Sequence, residues 1–167
     1  MSPDIMGRVA VRPARECDVH AIVSLINGYA AKAIMLFRTP ESVRSTLHDF
    51  VVAVDHTGAV VACGALKEYS PSLAEVASVA VAEDAHGRGL GTRIVEEVER
   101  LARKRGIDEL FALTLSPKFF ESAGYAVTDR ARYPEKIRRD CLRCPRRIRC
   151  NEYCVARMIS EELAVAA

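Results

Sequence analysis

Several things are missing from this chain, and each absence removes a class of protein. Half of the 167 residues are hydrophobic, yet no apolar run approaches the ~20 residues that a membrane helix needs. The start carries no secretory architecture, because Asp4 interrupts it and no apolar stretch with a small-residue cleavage site follows. There is no internal repeat and no low-complexity linker. These absences predict a soluble, cytosolic chain that folds as one domain around a single core. Nucleotide motifs are missing as well. The glycine-dense stretch His86-Gly87-Arg88-Gly89-Leu90-Gly91-Thr92 is followed by arginine and not by Lys-Ser/Thr, which excludes a triphosphate-binding loop. A dinucleotide fold expects its glycine turn after the first strand and an acidic residue ~20 positions later; here three strands come first and position 111 is Phe.

What is present is unevenly spread. The chain carries a net charge of only +2, but Arg130, Arg132, Lys136, Arg138, Arg139, Arg143, Arg146, Arg147 and Arg149 crowd into one segment against Glu135 and Asp140. Cys141, Cys144, Cys150 and Cys154 fall in the same region, whereas Cys17 and Cys63 stand apart and read as small buried apolar residues. Composition therefore sets this basic, Cys-rich extension, 131–167, apart as a separate chemical unit, packed on or appended to the rest of the chain.

Hydrophobic periodicity fills in the first part. Val9 to Pro13 reads as a strand, and Val19, Ile22, Val23 and Ile26 give a helix face behind Glu16-Cys17-Asp18 as a cap. Thr39-Pro40 restarts a helix with its cap and first residue. Phe50–Val54 and Ala59–Leu66 flank the polar turn Asp55-His56-Thr57-Gly58 as a hairpin. Glu75–Val81 is a further strand, and Ile94, Val95, Val98, Leu101 and Ala102 stripe a helix that Gly106 stops. Leu110–Leu115 is a strand, Phe119–Tyr125 a short helix, and Ala126–Asp129 a last core strand. The expected class is α/β, with helices on both sides of one mixed sheet.

The corner between Val79-Ala80-Val81 and the following helix is the strongest functional signal. Three glycines leave peptide N–H groups uncovered, and a helix start adds unpaired amides and the positive end of its dipole. Such a corner suits phosphate or pyrophosphate.

Strand, glycine loop and downstream Phe119-Phe120-Glu121-Ser122-Ala123-Gly124-Tyr125 together resemble the GNAT family of acetyl-CoA-dependent N-acetyltransferases over roughly residues 8–130. His86 stands where that family usually has Arg or Gln. Val11-Arg12-Pro13-Ala14, Ile34 to Glu41, Ala62 to Leu66, Ala74 to Val81, Leu110 to Thr114, Pro134-Glu135-Lys136-Ile137 and Asp140 to Pro145 are similar to short-form amino-acid N-acetyltransferases of the N-acetylglutamate synthase type. The resemblance implies a GNAT-like mixed sheet flanked by helices. It also implies acetyl-CoA as cosubstrate, held by Val79, Ala80, Val81, His86, Gly87, Arg88, Gly89, Leu90, Gly91, Thr92, Phe119 and Phe120, and an amino-acid acceptor, L-glutamate first and glutamine as the alternative, serving arginine biosynthesis. The N–H groups of Val79 to Val81 would stabilise the oxyanion.

For the base that deprotonates the amine, Glu75 is the candidate, on the face of Val79 if the strand is regular; a solvent-facing carboxylate is the plainer alternative. His86 is a second candidate, against an ordinary loop histidine. Phe120 stands where many GNAT enzymes have Tyr and offers no acid. Arg38 is suited to grip a carboxylate bidentately, with Lys67 and Thr114 as further substrate-binding candidates and surface roles as their alternatives. Cys141-x2-Cys144-x5-Cys150-x3-Cys154 matches a tetrahedral zinc ligand set, an iron–sulfur cluster being the other metal option, and disulfides are disfavoured by compartment. The basic tail also raises a zinc-containing nucleic-acid-binding module, but Tyr133 and Tyr153 are too few aromatics for base stacking. A GNAT enzyme acting on protein or polyamine amines is a third reading. A homodimer is compatible with all of these.

Overall fold

The computed structural model describes residues 8–160; Asp4 lies outside them. The elements run β1 (Ala10–Pro13), α1 (Val19–Ala31), α2 (Pro40–Arg44), β2 (Phe50–Val54), β3 (Val60–Ser70), β4 (Leu73–Val81), α3 (Leu90–Lys104), β5 (Glu109–Thr114), α4 (Pro117–Ser122), β6 (Ala126–Thr128), α5 (Pro134–Arg139) and β7 (Tyr153–Met158). The strands form one seven-stranded mixed sheet of order β1-β2-β3-β4-β5-β7-β6. Among the described residues no helix is long and apolar enough to cross a membrane.

Of the described residues, 8–66 together with Ser78–Arg100 form one compact unit. Its core follows the predicted periodicity. Val19, Ile22 and Ile26 of α1 meet Val43 of α2, Phe50 and Val52 of β2, Cys63 and Ala65 of β3 and Ala80 of β4. Asp18 precedes α1, almost fully buried, and accepts from Arg12 at 2.7 and 3.0 Å and from the Arg15 N–H at 2.7 Å. Burial alone would raise its pKa, but these donors outweigh burial and hold the carboxyl below the ordinary carboxylate range. The α2 cap is as expected: Thr39 Oγ1 accepts from the Ser42 N–H at 3.1 Å, and Pro40 follows. Asp55 braces the β2–β3 turn by accepting from the N–H groups of Thr57 and Ala59. Cys63 is buried as expected, its thiol pKa pushed up to about 12 by desolvation, whereas Cys17 is exposed.

Gly64 shows how tightly this unit packs. A Cβ there would overlap Ile94 Cγ2 and touch Val98 and Val79 at 3.5 and 3.6 Å, and Ile94 is fully buried. Gly64→Ala is therefore expected to destabilise the fold by about 1–3 kcal/mol, read as a lower urea midpoint with unchanged slope.

Of the described residues, Lys67–Ala77 and 101–160 form the second unit. Phe111, Tyr133 and Cys154 are its buried centre, with Tyr69, Leu73, Leu113 and Ala156 packed around them. The Phe111 and Tyr133 rings stack with centroids 4.2 Å apart. The Tyr133 hydroxyl donates to Glu109 at 2.8 Å.

This unit draws on residues from both sides of residue 130. Ala126–Thr128 is not the last core strand, because β7 inserts between β5 and β6, with Phe111 opposite Ala156 and Val127 opposite Val155. The cysteines and arginines dominate the composition of 130–150 and mask the alternating strand that follows them.

Candidate functional site

The glycine corner lies in the first unit. Gly87 and Gly89 adopt φ of +76° and +71°, which a side chain would strain, and a Cβ at either would meet nothing within 4 Å. The requirement for glycine here is thus one of backbone conformation over open space. His86 to Gly89 are exposed, while Leu90 is buried and anchors the start of α3. Arg93 N–H bonds back to Gly89 O at 3.1 Å. The N–H groups of Leu90, Gly91 and Thr92 precede the first possible helical acceptor. The exposed loop and the first turn of α3 together offer donors to an anion.

His86 is tied to the end of β4. Its Nε2 sits 3.0 Å from Val81 O and 2.8 Å from the Tyr29 hydroxyl, which itself donates to Val81 O. Through these contacts of Nε2 the imidazole braces the loop against the end of β4. Ser78 corrects a second expectation. It has φ +54°, a left-handed break in β4, so the two-residue alternation assumed from Glu75 to Val79 is interrupted.

Arg38 is half-buried and satisfied locally. Its Nε donates to Ser42 Oγ at 3.0 Å, and Nη2 to Ser42 O at 3.0 Å and Thr46 Oγ1 at 3.4 Å, so much of its fork braces α2. Burial lowers its pKa.

The second unit holds a cluster that the sequence reading reached only at its edges. Glu75 is not in solvent: its side chain is 7% exposed. Its Oε2 accepts from Lys136 Nζ at 2.9 Å and lies 2.9 Å from the Tyr69 hydroxyl. One oxygen of Asp140, Oδ2, collects three donors: Lys67 Nζ at 2.6 Å, Tyr69 OH at 2.5 Å and Lys136 Nζ at 3.0 Å. Burial would raise the Asp140 pKa, but these donors outweigh it and hold the carboxyl well below the usual range. Burial would lower the Lys136 pKa, yet the adjacent Glu75 and Asp140 raise it. Burial and the Glu75 charge push the Tyr69 phenol up.

Tyr69, Lys136 and Asp140 were missed as site residues. Their signals were present: Tyr69 follows Lys67 at the two-residue period of a strand, and Lys136 and Asp140 stand four apart on α5 and its end. Lys67, expected to await a substrate, is already paired with Asp140. Thr114 Oγ1 accepts from the Ser116 N–H at 2.9 Å. Phe120 is buried edge-on to Tyr125 and Phe119, while Phe119 is half-buried.

The expected zinc ligands do not converge. Among the described residues no group of three or more His, Cys, Asp or Glu is arranged to hold a metal. Cys154 points into the core beside Phe111 and Tyr133, and burial pushes its pKa up to about 11. Cys150 Sγ instead receives a bond from Arg130 Nη2 at 3.2 Å. Pairing of β7 with β5, which sets Cys154 opposite Leu113, withdraws the fourth ligand from the set.

The comparisons agree with this architecture. The model of the acetyltransferase (GNAT) family matches residues 21–125. An uncharacterized N-acetyltransferase of Chlorobaculum tepidum is 39% identical over 149 residues, covering 89% of this chain and 96% of the relative. An amino-acid acetyltransferase of Mycobacterium tuberculosis is 37% identical over 120 residues, 71% of this chain and 68% of its own. In structure, N-acetylglutamate synthase of Neisseria gonorrhoeae, solved with coenzyme A and N-acetyl-glutamate, superposes with a TM-score of 0.80 at 27% identity. That match covers 91% of this chain but only 35% of the synthase. The chain belongs to the GNAT acetyltransferase family and is an acyltransferase.

Proposed function

We propose that the chain transfers the acetyl group of acetyl-CoA to the α-amine of an amino acid, with L-glutamate as the first acceptor to test. The observation that carries this reading is the exposed amide corner at Gly87, Gly89 and the first turn of α3, in a family whose relatives include amino-acid acetyltransferases. In this reading the amides from Gly87 to Thr92 hold the pyrophosphate of coenzyme A, with Arg88 exposed beside them. The N–H groups of Val79 to Val81 donate to the oxyanion that forms when the amine attacks the thioester carbonyl. Glu75 takes the proton from the amine, and the C–S bond then breaks to release the thiolate. A free thiol ionises near pH 8.5, so the leaving group needs no protein acid, in keeping with Phe at 120.

Arg38 keeps Nη1 for an acceptor carboxylate, the rest of its fork being used by α2. Thr114 is spent on its turn and contributes little. Glutamine is the second reading, favoured by one observation: Lys67 and Lys136 are both neutralised by Asp140 and Glu75, which leaves less free positive charge for a second carboxylate.

The test is incubation of the purified chain with acetyl-CoA and each amino acid in turn, scored by mass as N-acetylated product. Glutamate or glutamine should be acetylated in preference to the other amino acids. No product with any amino acid, together with nucleic-acid binding that falls steeply with salt, would replace this reading by the binding-module one.

A further inference from the structure

Three cations surround one aromatic ring in the second unit. Lys67 Nζ, Lys136 Nζ and the Arg139 guanidinium carbon lie 5.5, 6.0 and 4.7 Å from the centroid of Tyr69. Two carboxylates, Glu75 and Asp140, face them, and both are engaged by the lysines. The nearby Glu68 carboxylate pairs with Arg105 at 2.8 Å. One positive charge is therefore left over, and it is that of Arg139. Its only hydrogen bond among the described contacts runs from Nη1 to the backbone oxygen of Glu68 at 3.3 Å, so the fork is oriented without being neutralised.

We propose that Arg139 is the binding site for a carboxylate of the acceptor. Stacking on Tyr69 holds the guanidinium in a fixed plane, and Nε and Nη2 remain for a carboxylate, which the arginine fork fits bidentately. Tyr69 also sets the spacing. Its ring lies under Arg139 and its hydroxyl lies 2.9 Å from Glu75 Oε2, so a ligand that reaches both needs a carboxylate and an amine a few bonds apart. An amino acid has that shape, whereas a polyamine would be repelled by the surplus cation. The assignment rests on the reading of Glu75 as the base, and it adds the residue that selects acceptors by their acid group.

The test compares wild type, Arg139→Gln and Arg139→Lys by calorimetric titration with L-glutamate and its two monoamides, glutamine and isoglutamine. Acetylated product is measured in parallel. Wild type should bind at least one monoamide about tenfold or more weakly than glutamate, the amide that matters naming the carboxylate held. Arg139→Gln should lose that preference while its acetyl-CoA affinity stays the same, and Arg139→Lys should keep part of it. A folded Arg139→Gln protein that keeps the wild-type preference against both monoamides overturns the assignment, as does a wild type that never discriminates. Loss of discrimination without any acetylated product keeps the carboxylate site and overturns the transferase reading instead. Acetylation by a variant whose preference is untouched does the reverse.

Discussion

Glu75→Gln is expected to lower kcat by about 10²- to 10⁴-fold while leaving the KM for acetyl-CoA unchanged. Glutamine keeps the size of the side chain and a carbonyl oxygen to accept from Lys136, which now donates to Glu75 at 2.9 Å, and Asp140 still pairs with that lysine, so the fold is expected to survive with some loss of stability. What disappears is the only group on that side chain able to take a proton. A variant that is folded at the assay temperature and loses turnover but not cofactor affinity fits the role of base. Turnover within threefold of wild type would remove Glu75 from the chemistry and leave it as the partner of Lys136. His86 would then be the next base to test, through Nδ1, since its Nε2 is tied to Val81 O and the Tyr29 hydroxyl.

The second large effect concerns stability. Asp140 anchors the basic segment: one oxygen satisfies Lys67, Tyr69 and Lys136 together. Asp140→Asn removes the charge, and the shared oxygen becomes a weaker acceptor for two ammonium groups. Breaking a buried ion pair outright costs about 3–5 kcal/mol, but Asp140 keeps 28% of its side chain in water, so a loss of about 1–3 kcal/mol at pH 7 is expected.

The pH dependence has a definite sign. The folded pKa of Asp140 is depressed, so its contribution is fully present above the unfolded value of ~3.9 and is lost as pH falls through the lower folded value. Urea denaturation across acid pH should therefore show wild type and Asp140→Asn converging as the solution is acidified. Curves that stay parallel down to the lowest pH would mean that Asp140 is not ionised in the fold, and the electrostatic account of the cluster would be wrong.

Much of this architecture is legible in local sequence because local forces set it. Thr39-Pro40 starts α2, Asp55 to Gly58 makes the hairpin turn, Gly106 follows α3, and the α1 and α3 stripes bury the predicted faces. The glycine corner is legible for the same reason: positive φ and a helix start are properties of neighbours in sequence. Where the reading failed, the deciding contact came from far along the chain. Residues 61 to 73 positions apart bring Lys136 to Glu75 and Asp140 to Tyr69 and Lys67, turning an apparent strand-end carboxylate into a buried one. Strand β7 finds its place between β5 and β6 only through pairing, and that pairing carries Cys154 into the core and away from a metal.

The amino-acid order alone determined the α/β class, the family and the glycine corner, since backbone conformation and hydrophobic period are encoded within a few residues. Which charges of the Tyr69 cluster neutralise one another was decided by tertiary packing. Electrostatic pairing depends on distance in space, and distance in sequence does not report it.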